Sequence, residues 1–256
     1  MRRVEWHMYQ FFVAPEQIDV EHKRVLITGN DVNHIVNVLR MKPGEEFAVS
    51  NGMDGKEYRC SMLSATQEQV LCELRFVKED AMELSARVHL FQGLPKADKM
   101  ELIIQKAVEL GVYEIIPVAM SRCVVKLDAK KEVSKISRWN AIAEAAAKQS
   151  KRKVIPQVTQ VLRFKEALQK AADMDVRLVP YELAEGMAKT RELIEAIKPG
   201  QDVAVFIGPE GGFAEEEIEA ALGYGVTPIT LGKRILRTET AGMTVMAWIM
   251  YHLETD

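Results

Sequence analysis

The stretch Asp202-Val203-Ala204-Val205-Phe206-Ile207-Gly208-Pro209-Glu210-Gly211-Gly212-Phe213 decides how this 256-residue chain folds. Its apolar run from Val203 to Ile207 reads as a buried strand, and Gly-Pro stops it at once. A helix opening on Glu215-Glu216-Glu217 follows. Further on, Leu231-Gly232-Lys233-Arg234-Ile235-Leu236-Arg237-Thr238-Glu239-Thr240-Ala241 repeats the arrangement of strand, glycine turn and helix. Two such turns place a ligand at one edge of an open α/β sheet, where glycines let it approach the backbone and its free amides. Neither turn is a common phosphate cradle. The first lacks both the Lys-Ser/Thr ending of a P-loop and the G-x-G-x-x-G spacing of a dinucleotide site. Three glutamates at the helix start suit the helix dipole but oppose a polyphosphate, so a ligand without phosphates, even a cation, fits better.

Upstream, the same alternation continues. Val88 to Gln92, Lys99 to Leu110 and Tyr113 to Val118 read as strand, helix and strand, joined by Gly93-Leu94-Pro95-Lys96-Ala97-Asp98. A helix from Ser134 to Gln149, a strand at Val176 to Val179 and a helix from Thr190 to Ile197 complete a mainly parallel sheet covered by helices. The first seventy-odd residues differ. Tyr9 to Val13, Arg24 to Ile27, Glu46 to Ser50, Glu57 to Leu63 and Gln69 to Phe76 are short strands separated by turn signals, the pattern of a small β-barrel. One helix interrupts them, over Asp31 to Arg40, with Val32, Ile35, Val36 and Leu39 on one face and His34 and Arg40 on others. Two domains follow from this change of period.

Composition fits an ordinary globular protein, with 48% hydrophobic and 28% charged residues. The most apolar segment, Ala241 to Leu253, is too short to span a bilayer. No signal-peptide stretch follows Arg2 and Arg3, which predicts a cytoplasmic protein. Cys60, Cys72 and Cys123 form no C-x-x-C pair and the five histidines show no ligand spacing, so no metal is expected. The net charge of −3 hides an asymmetry: Ser121 to Lys170 carries 13 Lys or Arg against 4 Asp or Glu. Lys148, Lys151, Arg152 and Lys153, with Gln149 and Ser150 between them, concentrate that charge. They are either a solvated helix face or, as the clustering favours, a phosphate-contacting surface. The final helix is apolar on nearly every side, which suits a domain core or a subunit interface.

With these features in this order, the chain resembles the RsmE family of 16S ribosomal RNA uridine N3-methyltransferases, within the SPOUT superfamily. The resemblance runs from about Met8 to Leu253. It rests on His34 to Arg40, Gln92-Gly93-Leu94-Pro95-Lys96, Ala146-Ala147-Lys148-Gln149-Ser150, Gly208 to Phe213 and Leu231 to Ala241. It implies a small PUA-like β-barrel over 1–75, a linker over 76–86, and a SPOUT-type α/β domain over 87–256 whose end forms a trefoil knot. Periodicity alone shows no knot. S-adenosylmethionine is the implied cofactor, bound between three strand ends: Val179, Pro180, Tyr181 and Glu182; Ile207, Gly208, Pro209, Glu210, Gly211 and Gly212; and Leu231, Gly232, Ile235, Leu236, Arg237, Thr238 and Thr240. A homodimer through the last helix is implied too, with 16S rRNA or the small ribosomal subunit as substrate. Arg40, Lys96, Lys148, Gln149, Lys151, Arg152 and Lys153 are the candidate RNA contacts. Gln10 departs from the family, which carries an arginine before the paired aromatics Phe11 and Phe12, and the residues before Met8 look like an added leader.

Methylating uridine N3 removes the ring N–H proton while charge develops on the flanking carbonyl oxygens. Arg237 can hold such an oxygen, and Glu239 can orient it or take the proton. Equally, the two side chains can pair and brace their loop. Two readings from other classes remain: an RNA-binding module without activity, which needs no converging glycine turns, and a nucleotide-using α/β enzyme, which the triple glutamate opposes.

Overall fold

The structure, a computed structural model, describes residues 8–79, 82–181, 184 and 186–254. It divides into two compact units, one of residues 1–83 with 147–155, the other of 84–146 with 156–256.

In the first unit, strands β1 (Gln10–Phe12), β2 (Ile18–Asp19), β3 (Arg24–Thr28), β4 (Glu46–Ser50), β5 (Lys56–Ala65) and β6 (Gln69–Glu79) form a mixed sheet of order β1-β4-β5-β6-β3-β2. Strand alternation builds its core. Val25 and Ile27 on β3 point in between the exposed Arg24, Leu26 and Thr28, and they meet Phe47, Val70 and Cys72. Phe11 packs edge-on to Phe47 with ring centroids 5.4 Å apart. Burial pushes the Cys60 and Cys72 thiols up to about 12, which leaves them as inert core residues. The expected helix over 31–40 is one α-turn, α1 (Asn30–Asn33), running into a π-turn over His34–Val38 that the Leu39 amide closes on the His34 carbonyl at 2.9 Å. Val32 and Ile35 still reach the core.

Two expected boundaries shift. Strand β6 continues through Phe76 to Glu79, so much of the expected linker is strand, paired to Lys56–Arg59 of β5. Residues 147–155, expected with the α/β domain, belong to the first unit. There the Ile155 amide donates to the Gly52 carbonyl at 2.9 Å, and Gly52, at φ +74°, leaves room for the Ile155 side chain.

The second unit holds strands β7 (Arg87–Gly93), β8 (Glu114–Ala119), β9 (Gln157–Val158), β10 (Leu162–Arg163), β11 (Val176–Pro180), β12 (Asp202–Ile207) and β13 (Thr227–Ile229), all parallel. Their order is β10-β8-β7-β12-β11-β13, with β9 also on β8. Central β7 and β12 are buried on both faces, and Phe91 stacks on Phe206 at 4.5 Å. The helices are α2 (Lys99–Glu109), α3 (Ala129–Gln149), α4 (Phe164–Ala171), α5 (Met187–Glu195), α6 (Glu215–Gly223) and α7 (Thr238–Leu253). Helix α7 is not uniformly buried. Gly242, Val245, Met246 and Ile249 face its own unit, whereas Met243, Ala247, Trp248 and Met250 are half-buried and Tyr251 is exposed. Among the described residues no helix is long and apolar enough to cross a membrane, and no cluster of His, Cys, Asp and Glu could hold a metal.

Candidate active site

Strands β11, β12 and β13 run parallel as neighbours, so their carboxyl ends open on one side of the sheet. The cavity there measures about 840 Å³, within the range of a nucleoside-sized ligand site. Three segments wall it. Pro180 and Tyr181 come from the end of β11, Ile207 to Gly212 from the loop after β12, and Leu231, Gly232 and Ile235 to Thr238 from the loop after β13. Val179 is not on the wall, because it is sealed beneath the strand end. Thr240 sits outside the cavity on the first turn of α7, and Glu182 lies outside the described residues.

Glycine geometry explains the loop after β12. The Gly212 amide returns to the Pro209 carbonyl at 2.9 Å, closing a turn over Glu210 and Gly211, and the chain leaves that turn with Gly212 at φ +68°, a conformation that favours glycine. A Cβ at Gly93 would stand 2.7 Å from the Pro209 nitrogen, so β7 and this loop touch only because residue 93 has no side chain. Gly211 differs from expectation: a side chain there would meet Arg122 Cβ at 3.0 Å rather than the open cavity. Arg122 in turn donates to the Gly211 carbonyl at 3.1 Å.

Polar side chains bind the loops together. Thr238 donates its hydroxyl to the Gly208 carbonyl at 2.7 Å and accepts from the buried Gln92 amide at 2.9 Å. Lys99, which the sequence reading did not single out, lies 3.0 Å from Glu210 Oε1 and 3.4 Å from Glu239 Oε2. The hydrogen bond to Glu210 holds the Lys99 ammonium above its ordinary value. Glu210 is pushed up by burial, yet its own amide, Lys99 and the Lys96 amide together hold its carboxyl below the usual range. Arg237 is exposed at the start of α7 and, among the described residues, enters no ion pair, so the brace between Arg237 and Glu239 is not made. Of the three glutamates opening α6, Glu217 turns inward and accepts from the Ser121 and Ala214 amides at 2.8 and 2.9 Å, and Glu215 reaches the cavity wall.

The expected RNA cluster comes apart. Arg152 is 4% exposed and ion-paired with Glu83, and Lys153 is 3% exposed with its ammonium 2.7 Å from Glu57. Both lie inside the first unit and are unavailable to a surface partner. Gln10 explains the departure noted in the sequence, because it accepts from Lys153 at 2.7 Å and donates to the Arg152 carbonyl at 3.0 Å. An arginine there would face the Lys153 ammonium. Lys148 is half-buried, 5.9 Å above the Phe12 ring and 4.0 Å from Asp31. Arg40, Lys96, Gln149 and Lys151 are exposed. The partners Glu57 and Glu83 are distant in sequence, which is why local charge counting missed the pairing.

Comparison with known proteins agrees with this geometry. The RNA methyltransferase domain family matches residues 82–250, and the RNA methyltransferase PUA domain family matches 27–75. The ribosomal RNA small subunit methyltransferase E of Bacillus subtilis is 37% identical over 96% of this chain and 98% of its own length. The chain belongs to the ribosomal RNA small subunit methyltransferase E family. A crystal structure from this family, that of the Neisseria gonorrhoeae protein bound to S-adenosyl methionine, superposes with a TM-score of 0.80 at 31% identity, covering 96% of this chain and 98% of that one. A Legionella pneumophila protein in complex with the same cofactor gives a TM-score of 0.80 at 30% identity, with the same two coverages.

Proposed function

We propose that this protein transfers a methyl group from S-adenosylmethionine to N3 of a uridine in 16S ribosomal RNA, in the cytoplasm. The observation that carries the reading is the cavity at the ends of β11, β12 and β13. Its walls offer loop backbone, apolar side chains such as Ile207, Ile229 and Leu236, the carboxylates of Glu210 and Glu215, and the cations Lys99, Arg122, Lys233, Arg234 and Arg237. The backbone and apolar wall suits an adenosyl group, the carboxylates suit its sulfonium, and the cations suit the phosphates of an RNA substrate. Two relatives of similar length hold this cofactor, and the chain's own residues fit it.

When bound, the cofactor supplies a methyl group on cationic sulfur, open to attack by a ring nitrogen. The chain's residues do the rest. Backbone groups of Gly208 to Gly212 and Leu231 to Thr238 hold the ligand, while Ile207, Ile229 and Leu236 keep water from it. Arg237 directs its guanidinium to a uracil carbonyl oxygen and stabilises the charge that develops as the N3 proton leaves to water. Glu239 is a positioning residue: it shares Lys99 with Glu210 and so fixes the loop that presents Arg237.

The knot belongs to the proposal as well, with the 231–237 segment as its threaded loop. So does a homodimer through α7, whose outward stripe of Met243, Ala247, Met250 and Tyr251 repeats at helical spacing and is only partly covered. Met246 is buried within its own unit and takes no part. Isothermal titration tests the cofactor reading: S-adenosylmethionine should bind and ATP should not, and preference for ATP would overturn it.

A further inference from the structure

We propose that Lys233, Arg234 and Ile235 form a lip that draws the target nucleotide out of its RNA, the two cations holding neighbouring phosphates while Ile235 takes the vacated place in the base stack. This rests on the reading of the protein as an RNA methyltransferase.

The segment is anchored on both sides. The Gly232 amide donates to Thr230 Oγ1 at 3.2 Å, and the Thr230 amide donates to Thr190 Oγ1 at 3.0 Å. Thr238 holds the other end through Gly208 and Gln92. Between these anchors, Leu236 is half-buried on the cavity wall, but Lys233, Arg234 and Ile235 are exposed. Ile235 has a relative exposure of 103%, the highest of the large hydrophobic residues described. A single exposed apolar residue is ordinary, but Ile235 stands on the cavity rim beside two exposed cations, where a base entering the cavity would pass. The cations choose the occupant. Among the described residues neither Lys233 nor Arg234 enters an ion pair, so the ground around Ile235 is uncompensated positive charge, suited to a polyanion.

The chemistry supplies the rest. Uridine N3 lies on the pairing edge of the base, between two carbonyl groups, where pairing hides it, and the cavity at the ends of β11, β12 and β13 can take it in only if the base leaves its strand. The base must turn out, which leaves a gap in the stack. Apolar side chains including isoleucine fill such gaps and hold the displaced state. Lys233 and Arg234, next to Ile235 in the chain, would fix the backbone on which the nucleotide pivots.

The test uses the full-length protein, labelled S-adenosylmethionine and small ribosomal subunits from cells lacking the methylation. Replacing Ile235 by Ala should lower kcat on the order of tenfold, with KM for the subunit and cofactor affinity unchanged, because the base is turned out less often. The Lys233→Ala/Arg234→Ala pair should raise KM for the subunit and reduce its logarithmic salt slope by about 1.5, with kcat kept. Wild-type kinetics in both variants would overturn the lip while leaving the methyltransferase reading intact. A weakened cofactor titration would assign these side chains to the cofactor instead. A change of mass in light scattering for Ile235→Ala would assign Ile235 to a subunit interface. No label in RNA from the wild-type protein would instead refute the methyltransferase reading.

Discussion

The Thr238 hydroxyl donates to the Gly208 carbonyl at 2.7 Å, tying the first turn of α7 to the loop after β12. Since Gln92 donates to the same hydroxyl, one side chain joins the ends of two strands and a helix. Thr238→Val keeps the shape and removes the junction. It should cost roughly 1–3 kcal/mol in urea unfolding, because the half-buried Gly208 carbonyl loses its donor and the buried Gln92 amide keeps only the Gly93 carbonyl. Cofactor affinity should fall with it, and Thr238→Ser should restore both. Wild-type stability in Thr238→Val would contradict this.

Two glycines should respond in opposite ways. Gly93→Ala sets a Cβ against the Pro209 backbone at 2.7 Å, so it should destabilise by about 1–3 kcal/mol and weaken cofactor binding. Gly242→Ala meets nothing closer than 3.8 Å inside a helix, and it should stabilise by up to about 1 kcal/mol. Thermal melts of the two variants check the pair, and equal losses would show that the close approach at Gly93 is not what matters.

The same physics explains what the sequence made legible. The continuous apolar run Val203–Ile207 and the mostly apolar Val88–Gln92, each stopped by a glycine, read as buried strands, and the glycine after Ile207 marked the cavity. Helix α4 carried a readable signal too, with Phe164, Ala167, Leu168 and Ala171 at helical spacing, although the chain reading passed over it. Lys99 was not legible, because its role depends on Glu210 and Glu239 arriving from distant loops. The cluster at 148–153 misled for the complementary reason. Charge density along a sequence does not say which charges are buried, and Glu57 and Glu83 neutralise two of them from the far end of the chain.

Lys153 should therefore matter for stability. Burial pushes the Glu57 carboxyl up, but the hydrogen bonds from Lys153 and Arg59 hold it below its ordinary value. Lys153→Met removes one partner and leaves a buried charge short of compensation, at a cost of about 3–5 kcal/mol. Lys151→Glu, on the exposed side of the same turn, should leave denaturant midpoints unchanged. Equal midpoints for both variants would show that Lys153 is not a structural residue.

Acid stability should depend on the opposite end of the sheet. His89 lies 3.1 Å from Glu114 and 2.9 Å from Asp202, which also contact Lys170 and Arg87. Burial raises both carboxyls, but hydrogen bonds led by His89 outweigh it and hold both below their ordinary values. Their folded forms are depressed, so the stabilisation is complete above the ordinary carboxylate range of about 4 and is lost as pH falls through the folded values. Urea midpoints measured from pH 7 down to pH 3 should fall more shallowly in Asp202→Asn than in the wild type. Parallel curves would mean the cluster contributes nothing to acid sensitivity.

A cavity at the ends of β11, β12 and β13 that serves methyl transfer to a uridine nitrogen has one direct signature. Small ribosomal subunits lacking the modification, incubated with the protein and methyl-labelled S-adenosylmethionine, should yield 16S RNA that digests to labelled 3-methyluridine as its single labelled nucleoside. Label on a ribose, on another base or on ribosomal protein would contradict the account.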